Sequence, residues 1–466
     1  MMESSTNKSL RLAFYGDDFT GSTDALEVLA FSGLRCALFL NAPTPETRQE
    51  FAGFDAIGIA GESRGMSPEE MDVALPSIFQ SLADLKAPIV HYKVCSTFDS
   101  SPTIGSIGRV MEIGRRIFGP VPIPIVAGTP ALARYCLFGN LFARSGTDGL
   151  TYRIDKHPIM SAHPVTPINE SDLTQFLGRQ TSMTIDKFVV SNFAKGRPAM
   201  DEAWALLTSA QPAAVLFDGL TNEHMTEVGR LLDTHACRQG TAFVVGSSGV
   251  EYALTQWWLE SGRETLPQSR YESFAGVNRV LAISGSASSL SALQIDAAIA
   301  AGFIDMPIDA SALVDELRWE SSASKLVADV LEQLLLGKSV MLHTARGPQD
   351  PRIETMIGSL MSLGKSREEA KHGGGRLLGM RLGLIVKEIL VATPLRRLLL
   401  SGGDTSSQIT RVLAPDALEI EARLAPGAPL CRVISKQVHL NNLQIALKGG
   451  QMGDESYFVK ALHGNI

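Results

Sequence analysis

The sequence predicts an α/β fold of two doubly wound lobes in series. Three observations carry that expectation. Short apolar runs alternate with amphipathic stretches along most of the 466 residues, as β-α units on a mostly parallel sheet require. The length exceeds what one ordinary core holds. A polar stretch at 260–278, with Gly262, Pro267 and Gly276 and few aliphatics, interrupts the alternation before it begins again. The expected division is residues 1–260, a linker at 261–278 and residues 279–466, with a cleft between the lobes.

Leu10–Tyr15 is short, apolar and aromatic and reads as a buried strand. Ser22–Phe31 carries apolar residues at helical spacing, with Thr20 and Ser22 as candidate N-caps. Strands are expected next at Cys36–Leu40, Ala56–Ala60, Ile89–Val94 and Ile123–Ala127, with helices at Glu69–Leu85 and Ile104–Phe118 between them. Tyr152–Asn169, with His157, His163, Pro158, Pro164 and Pro167, reads as an irregular excursion. Further strands follow at Lys187–Ser191, Ala214–Phe217 and Ala242–Val245. In the second lobe the pairs are Val280–Ser284 with Leu290–Ala301, and Val340–Thr344 with a long helical region. Leu398–Ser401 then precedes Ser406–Val412, and Leu443–Leu447 precedes a short tail.

Composition narrows the function classes. A hydrophobic content of 45% and a charged content of 20% describe a globular protein rather than a disordered one. The formal net charge of −7 argues against a nucleic-acid surface, yet leaves room for a locally cationic pocket. Met1–Ser9 is polar without an apolar core, so no secretory signal is expected, and no apolar run reaches bilayer length. Five scattered cysteines without CxxC spacing (Cys36, Cys95, Cys136, Cys237, Cys431) point to reduced thiols and a cytoplasmic protein.

Chemistry is expected where strands end. Asp17 and Asp18 follow the first strand and precede a helix, the position at which open α/β sheets bind ligands. Paired acids there suit proton abstraction from a hydroxyl; the competing reading is a capping cluster at a helix N-terminus. Glu62-Ser63-Arg64 ends the third strand and Lys93-Val94-Cys95-Ser96-Thr97 the fourth. Arg64 offers a fork and Lys93 a point charge for a carboxylate, and the hydroxyls of Ser96 and Thr97 suit sugar oxygens. Cys95 has no His or Asn placed to activate it and reads as a small buried residue. His91, Asp155, His157 and His163 match no standard zinc spacing, so loop packing is favoured over a metal site.

In the second lobe glycines and small residues recur at strand ends. They are Ser284-Gly285-Ser286, Thr344-Ala345-Arg346-Gly347, Ser401-Gly402-Gly403-Asp404-Thr405, and Lys448-Gly449-Gly450. Such loops let backbone N–H groups approach phosphates. Gly337-Lys338-Ser339 and Gly364-Lys365-Ser366 both lack the first glycine of a P-loop, and no G-x-G-x-x-G fingerprint is present.

Taken together, Gly16–Asp24, Ser63-Arg64, Lys93–Thr97, Gly402–Thr405 and Pro426-Gly427-Ala428-Pro429 resemble, in collinear order, the hallmarks of the four-carbon acid sugar kinase family. The resemblance implies an acid-sugar-binding domain at 1–260, a nucleotide-binding domain at 279–466, and transfer of a phosphoryl group from ATP to an acid sugar. Lys93–Ser100 and His163–Pro167 are similar to the branch acting on 3-oxo acids, while Gly16, Ser22 and Ala127–Pro130 depart from its usual pattern. The 3-oxo-tetronate type is therefore expected, with the branched five-carbon 3-oxo-isoapionate and the threonate and erythronate kinases as alternatives. The resemblance implies Asp17 and Asp18 as catalytic acids. Substrate contacts are implied for Asp17, Arg64, Lys93, Val94, Cys95, Ser96 and Thr97. For ATP they are implied at Ser284, Ser286, Thr344, Gly402, Gly403, Asp404, Thr405 and Gly449. Mg²⁺ is expected on the phosphates, mostly water-ligated, so few dedicated protein ligands need appear, and none is singled out. Nucleic acid and membrane are not expected partners; a homodimer is. A metal-dependent lyase or hydrolase, and a sugar-acid sensor without turnover, are the readings from other classes.

Overall fold

The central strands of the first unit's main sheet form where four or five consecutive residues are buried on both faces, as parallel strands under covering helices require. The computed structural model describes residues 10–146, 149–163, 165–263 and 271–465. Met1–Ser9, Pro164 and residues 264–270 of the expected linker lie outside the described residues. The chain divides into two compact units, Met1–Pro267 and Gln268–Ile466.

The first unit holds β1 (Leu12–Gly16), β2 (Cys36–Phe39), β3 (Ala56–Ala60), β4 (Ile89–Lys93), β5 (Ile123–Val126), β6 (Arg134–Leu137), β7 (Asn140–Arg144), β8 (Thr151–Arg153), β9 (Ile185–Phe188), β10 (Ala214–Phe217) and β11 (Ala242–Gly246). Its main sheet runs β2-β3-β1-β4-β11-β5-β10-β9, and every pair in it is parallel. The chain leaves β1 toward β2 on one side, then crosses back to β4 on the other. The direction of winding thus reverses at the C-terminal ends of β1 and β4, which opens a crevice there. The core under this sheet includes Tyr15, Phe79, Tyr92 and Phe243.

The second unit holds β12 (Leu281–Ser284), β13 (Ile304–Pro307), β14 (Val340–His343), β15 (Arg397–Ser401), β16 (Ala417–Ala425), β17 (Ala428–Ile434) and β18 (Gln444–Lys448). Their order is β13-β14-β12-β15-β18-β17-β16, parallel as far as β18 and antiparallel beyond it.

Several elements differ from expectation. The first helix spans Phe19–Phe31 because Asp18, rather than Thr20 or Ser22, is its N-cap: the carboxylate accepts from the Gly21 N–H at 2.7 Å. The strand expected at Lys187–Ser191 is β9, and Val190–Lys195 is a 3₁₀ segment. Tyr152 and Arg153 belong to β8, which with β6 and β7 forms a small antiparallel sheet; the rest of that excursion holds single 3₁₀ turns at Ile154–Lys156 and Met160–Ala162. The tail after β18 contains the helix Tyr457–His463, anchored by buried Tyr457 and Phe458. Pro426-Gly427-Ala428-Pro429 lies at the turn between β16 and β17, where Gly427 takes φ +70°.

Candidate functional site

The crevice of the first unit gathers the predicted acids, cations and hydroxyls. Gly16 pairs in register with both Ala60 and Lys93, so the segments that follow β1, β3 and β4 begin side by side. Backbone bonds carry the alignment past the strands: the Asp17 N–H donates to the Lys93 carbonyl at 2.9 Å, and the Arg64 N–H donates to the Asp17 carbonyl at 3.0 Å.

Arg64 is shared by the two aspartates. Its Nη2 and Nε reach the two oxygens of Asp17 at 2.8 and 3.2 Å, and its Nη1 reaches Asp18 Oδ2 at 2.7 Å. Asp18 does double duty, since its other oxygen caps the helix. Lys93 Nζ pairs with Asp24, one helical face further on, at 3.3 Å. Glycine at 21 makes this crowding possible, because a Cβ there would lie 2.4 Å from Asp18 Oδ1 and 2.8 Å from Lys93 Nζ.

Burial sets the electrostatics. Asp17 is buried while the Asp18 side chain is 30% exposed. Desolvation pushes the Asp17 carboxyl above the ordinary aspartate range, the Arg64 guanidinium pulls it back, and the Asp18 charge adds to the upward push. Burial works against charge on Arg64 and Lys93 too. The surrounding aspartates outweigh it, so both stay firmly protonated. Among the described residues, the ion pairs of Asp17, Asp18 and Asp24 are made to Arg64 and Lys93, three carboxylates to two cations.

The loop after β4 turns outward. The Val94 N–H is committed to the Gly246 carbonyl at 2.7 Å, which extends the ladder one residue past β4. Cys95, expected to be buried, is half-buried because it lies on the loop beyond the sheet; its Sγ is 3.0 Å from Thr97 Oγ1. Ser96 is half-buried and Thr97 buried. Phe98 takes φ +57° and is fully buried, which fixes the turn that follows. Thr166 then closes on this loop, its hydroxyl bonded to the Asp99 carboxylate and 2.9 Å from His163 Nδ1. His157 accepts from the Ile159 and Met160 N–H groups, so its ring serves loop packing. His91 is fully buried beneath Lys93, with Nδ1 2.6 Å from Glu251 and Nε2 3.0 Å from the Gly246 carbonyl.

In the second unit the predicted loops meet at one sheet edge. The Gly285 N–H donates to the Ser401 carbonyl at 2.9 Å, the Gly402 N–H to the Lys448 carbonyl at 2.9 Å, and the Thr344 N–H to the Ser284 carbonyl at 3.0 Å. A Cβ on Gly285 would lie 1.9 Å from Thr405 Oγ1, and one on Gly450 2.2 Å from Ser286 Oγ. Gly402 takes φ +105° and caps the helix Gly403–Leu413 without a side-chain bond, leaving first-turn N–H groups for an anion. Ser288 Oγ donates to the Gly450 carbonyl at 2.6 Å, which ties the loops after β12 and β18 together. Gly449 lies against Met452, and Asp404 is exposed in the first helical turn.

Sequence reasoning passed over Asp24, Asp99, Thr166 and Glu251. Asp24 stood inside the Gly16–Asp24 element. Its role as the partner of Lys93 was readable only from helical spacing, which puts it one turn beyond Thr20 on the helix capped by Asp18.

The family model described as "Sugar-binding N-terminal domain" matches residues 12–254, and that described as "Nucleotide-binding C-terminal domain" matches 281–458. A 3-oxo-isoapionate kinase of Paraburkholderia graminis is 41% identical over 457 residues, covering 98% of this chain and 95% of its own. A 3-oxo-tetronate kinase of Methylobacterium radiotolerans is 27% identical, covering 97% and 99%. A D-threonate kinase of Salmonella typhimurium is 25% identical, covering 97% and 98%. Among solved structures, a Salmonella typhimurium protein described as a tRNA synthase shares the fold with a TM-score of 0.76 at 22% identity, covering 97% of this chain and 98% of that one.

Proposed function

The chain belongs to the four-carbon acid sugar kinase family, and we propose that it transfers the γ-phosphoryl group of ATP to a hydroxyl of 3-oxo-isoapionate, a branched five-carbon 3-oxo acid. That it is an ATP-dependent kinase of sugar acids follows from the family. The choice of acceptor is supported by the 41% identity to the Paraburkholderia graminis enzyme over nearly the full length of both chains. The four-carbon 3-oxo-tetronate is the second reading, supported by a relative of that name at 27% identity over 97% of this chain.

One observation supports the assignment of roles: a buried and an open aspartate held by a single guanidinium at the reversal of the sheet. The acceptor hydroxyl attacks the γ-phosphorus, its proton passes to Asp17, and the bond to the ADP oxygen breaks. Asp17 suits this role because its raised proton affinity brings it nearer the working pH than an ordinary carboxylate. Asp18, more open, orients the hydroxyl. The substrate carboxylate competes with the aspartates for Arg64 and Lys93, and Ser96 and Thr97 read neighbouring oxygens together with the Cys95 backbone. In the second unit the N–H groups at Gly402–Thr405 and Gly449, with Ser284, Ser286 and Thr344, hold the nucleotide. The exposed Asp404 carboxylate fits a water-mediated contact to Mg²⁺, which would neutralise phosphate charge. Positioning and charge neutralisation carry most of the catalysis in such a transfer.

ATP-to-ADP turnover by the purified protein, measured across four- and five-carbon aldonic acids and their 3-oxo forms, tests the reading. Turnover restricted to the branched 3-oxo acid is expected. Preference for 3-oxo-tetronate selects the second reading, and the absence of turnover with any acid sugar rejects both.

A further inference from the structure

One face of the second unit's sheet ends in a row of polar residues. His343, Ser284, Ser401 and Lys448 are the last residues of β14, β12, β15 and β18, and the register places Ser284 beside both His343 and Ser401, and Ser401 beside Lys448. Residues level with one another on neighbouring strands project from the same face. One step back on that face stand Met341, Ala282, Leu399 and Ala446, all in the apolar core. The polar row is no less enclosed, with His343, Ser284, Ser401 and Lys448 only 2, 0, 0 and 1% exposed.

His343 is satisfied by Asp305 and Arg352. The other three are not. Among the described residues, Ser284 Oγ and Ser401 Oγ are buried without a hydrogen-bond partner. Lys448 Nζ makes one hydrogen bond, to the neighbouring Gly449 carbonyl at 3.0 Å, and lies 5.6 Å over the Tyr457 ring. Among the described residues no carboxylate pairs with it. Burial alone lowers its ammonium from the ordinary 10.5 to about 8. A buried cation without a counter-charge is costly, and two adjacent orphaned hydroxyls add to the cost. An anion entering between the loops after β12, β15 and β18 would satisfy all three groups together.

We propose that Lys448 is the phosphate-binding cation of the nucleotide site, and that the hydroxyls of Ser284 and Ser401 donate to the same phosphate. The inference rests on the nucleotide-binding reading of this unit and names the group that the glycine loops leave out: a full positive charge at their floor.

The test compares ADP with adenosine, which has the base and ribose but no phosphate, in calorimetric titrations of the full-length wild type, Lys448→Met and Lys448→Gln. The expected result is ADP affinity reduced about tenfold to a hundredfold in both variants, as loss of a charge-assisted contact implies, with adenosine affinity unchanged. Lys448→Gln keeps a donor for the Gly449 carbonyl, so it decides the matter should the methionine variant fail to fold. Unchanged ADP affinity, or equal losses for ADP and adenosine, would overturn the proposal and leave Lys448 a support of the Gly449 loop. A wild type that binds neither ligand rejects the nucleotide reading itself.

Discussion

Asp17 and Asp18 are adjacent in sequence and chemically unlike. One is sealed beneath Arg64 with its proton affinity raised; the other caps a helix and meets solvent. Asp17→Asn combined with Asp18→Asn is expected to lower kcat by about 10²- to 10⁴-fold while ADP affinity, measured by calorimetry, stays within error of wild type. Because Asp17 must be ionised to accept a proton, kcat/KM falls as pH drops through its raised value. The acid limb therefore lies above that of an ordinary aspartate. Asp18→Asn removes a neighbouring negative charge and moves the limb to lower pH, whatever it does to the maximum rate; a limb that stays in place or rises rejects Asp17 as the base. Lys448 makes a stability prediction of opposite character. Between about 8 and 10.5 the unfolded chain holds the lysine proton and the folded one does not, so ligand-free stability climbs with pH across that window. Lys448→Met should abolish that climb and, at pH 7, raise the unfolding free energy by up to about 3 kcal/mol, read from urea curves. The acids were visible in the sequence because they stand where a strand ends and a helix begins, a place that suits ligand chemistry and helix capping equally, and Asp18 does cap the helix. Lys448 was not, since a lysine beside a glycine turn looks like any surface lysine until its burial and lack of a counter-charge are known.

At the level of elements, the loops after β12 and β15 interlock through a glycine that admits a threonine. Gly285→Ala would drive a methyl group into Thr405, and is expected to raise the KM for ATP about tenfold with a smaller effect on the KM for the acid sugar. Equal effects on both constants would mean general damage to the fold. In the first unit, the His91–Glu251 pair ties β4 to the helix Gly249–Glu260 inside the core. Glu251→Leu leaves a ring nitrogen buried without a partner and should lower the urea midpoint by the equivalent of about 1–3 kcal/mol. Elements buried on both faces were legible because a run such as Ala56–Ala60 has no other sensible reading, and the structure keeps those bounds. The antiparallel pieces were not. β6 and β7 are only partly buried and carry Arg134, Asn140 and Arg144, and β16 alternates glutamates with aliphatics. Their period-two pattern is short and diluted by charge, so nothing in the local sequence outweighed the parallel pattern around them. The turn joining β6 to β7 is held by Asp218, whose carboxylate accepts from the Phe138 and Gly139 N–H groups at 2.6 and 2.8 Å, a contact eighty residues away in the chain.

For the whole molecule, the order of motifs along the chain proved more informative than any one of them. Single glycine turns and a lone acidic pair are common; their collinear arrangement across two units is what identified the family, and matches to both halves bear that out. A homodimer, the commonest closed assembly, is expected to sediment at twice the chain mass, and a monomeric species would reject it. The acceptor was less legible than the reaction, because Lys93–Ser100 and His163–Pro167 resemble the 3-oxo branch as a whole and do not separate a straight four-carbon acid from a branched five-carbon one.

The segments proposed to carry chemistry in the first unit begin after the last ladder bond of a parallel strand, and the strands beneath are packed on both faces, with Val94 and Phe98 of the segment after β4 joining that core. An engineer can therefore exchange the segment at 95–105 as a unit, provided Phe98 is kept for the core beneath it. Transplanting that segment from a four-carbon relative should transfer substrate preference while leaving the thermal midpoint within a few degrees.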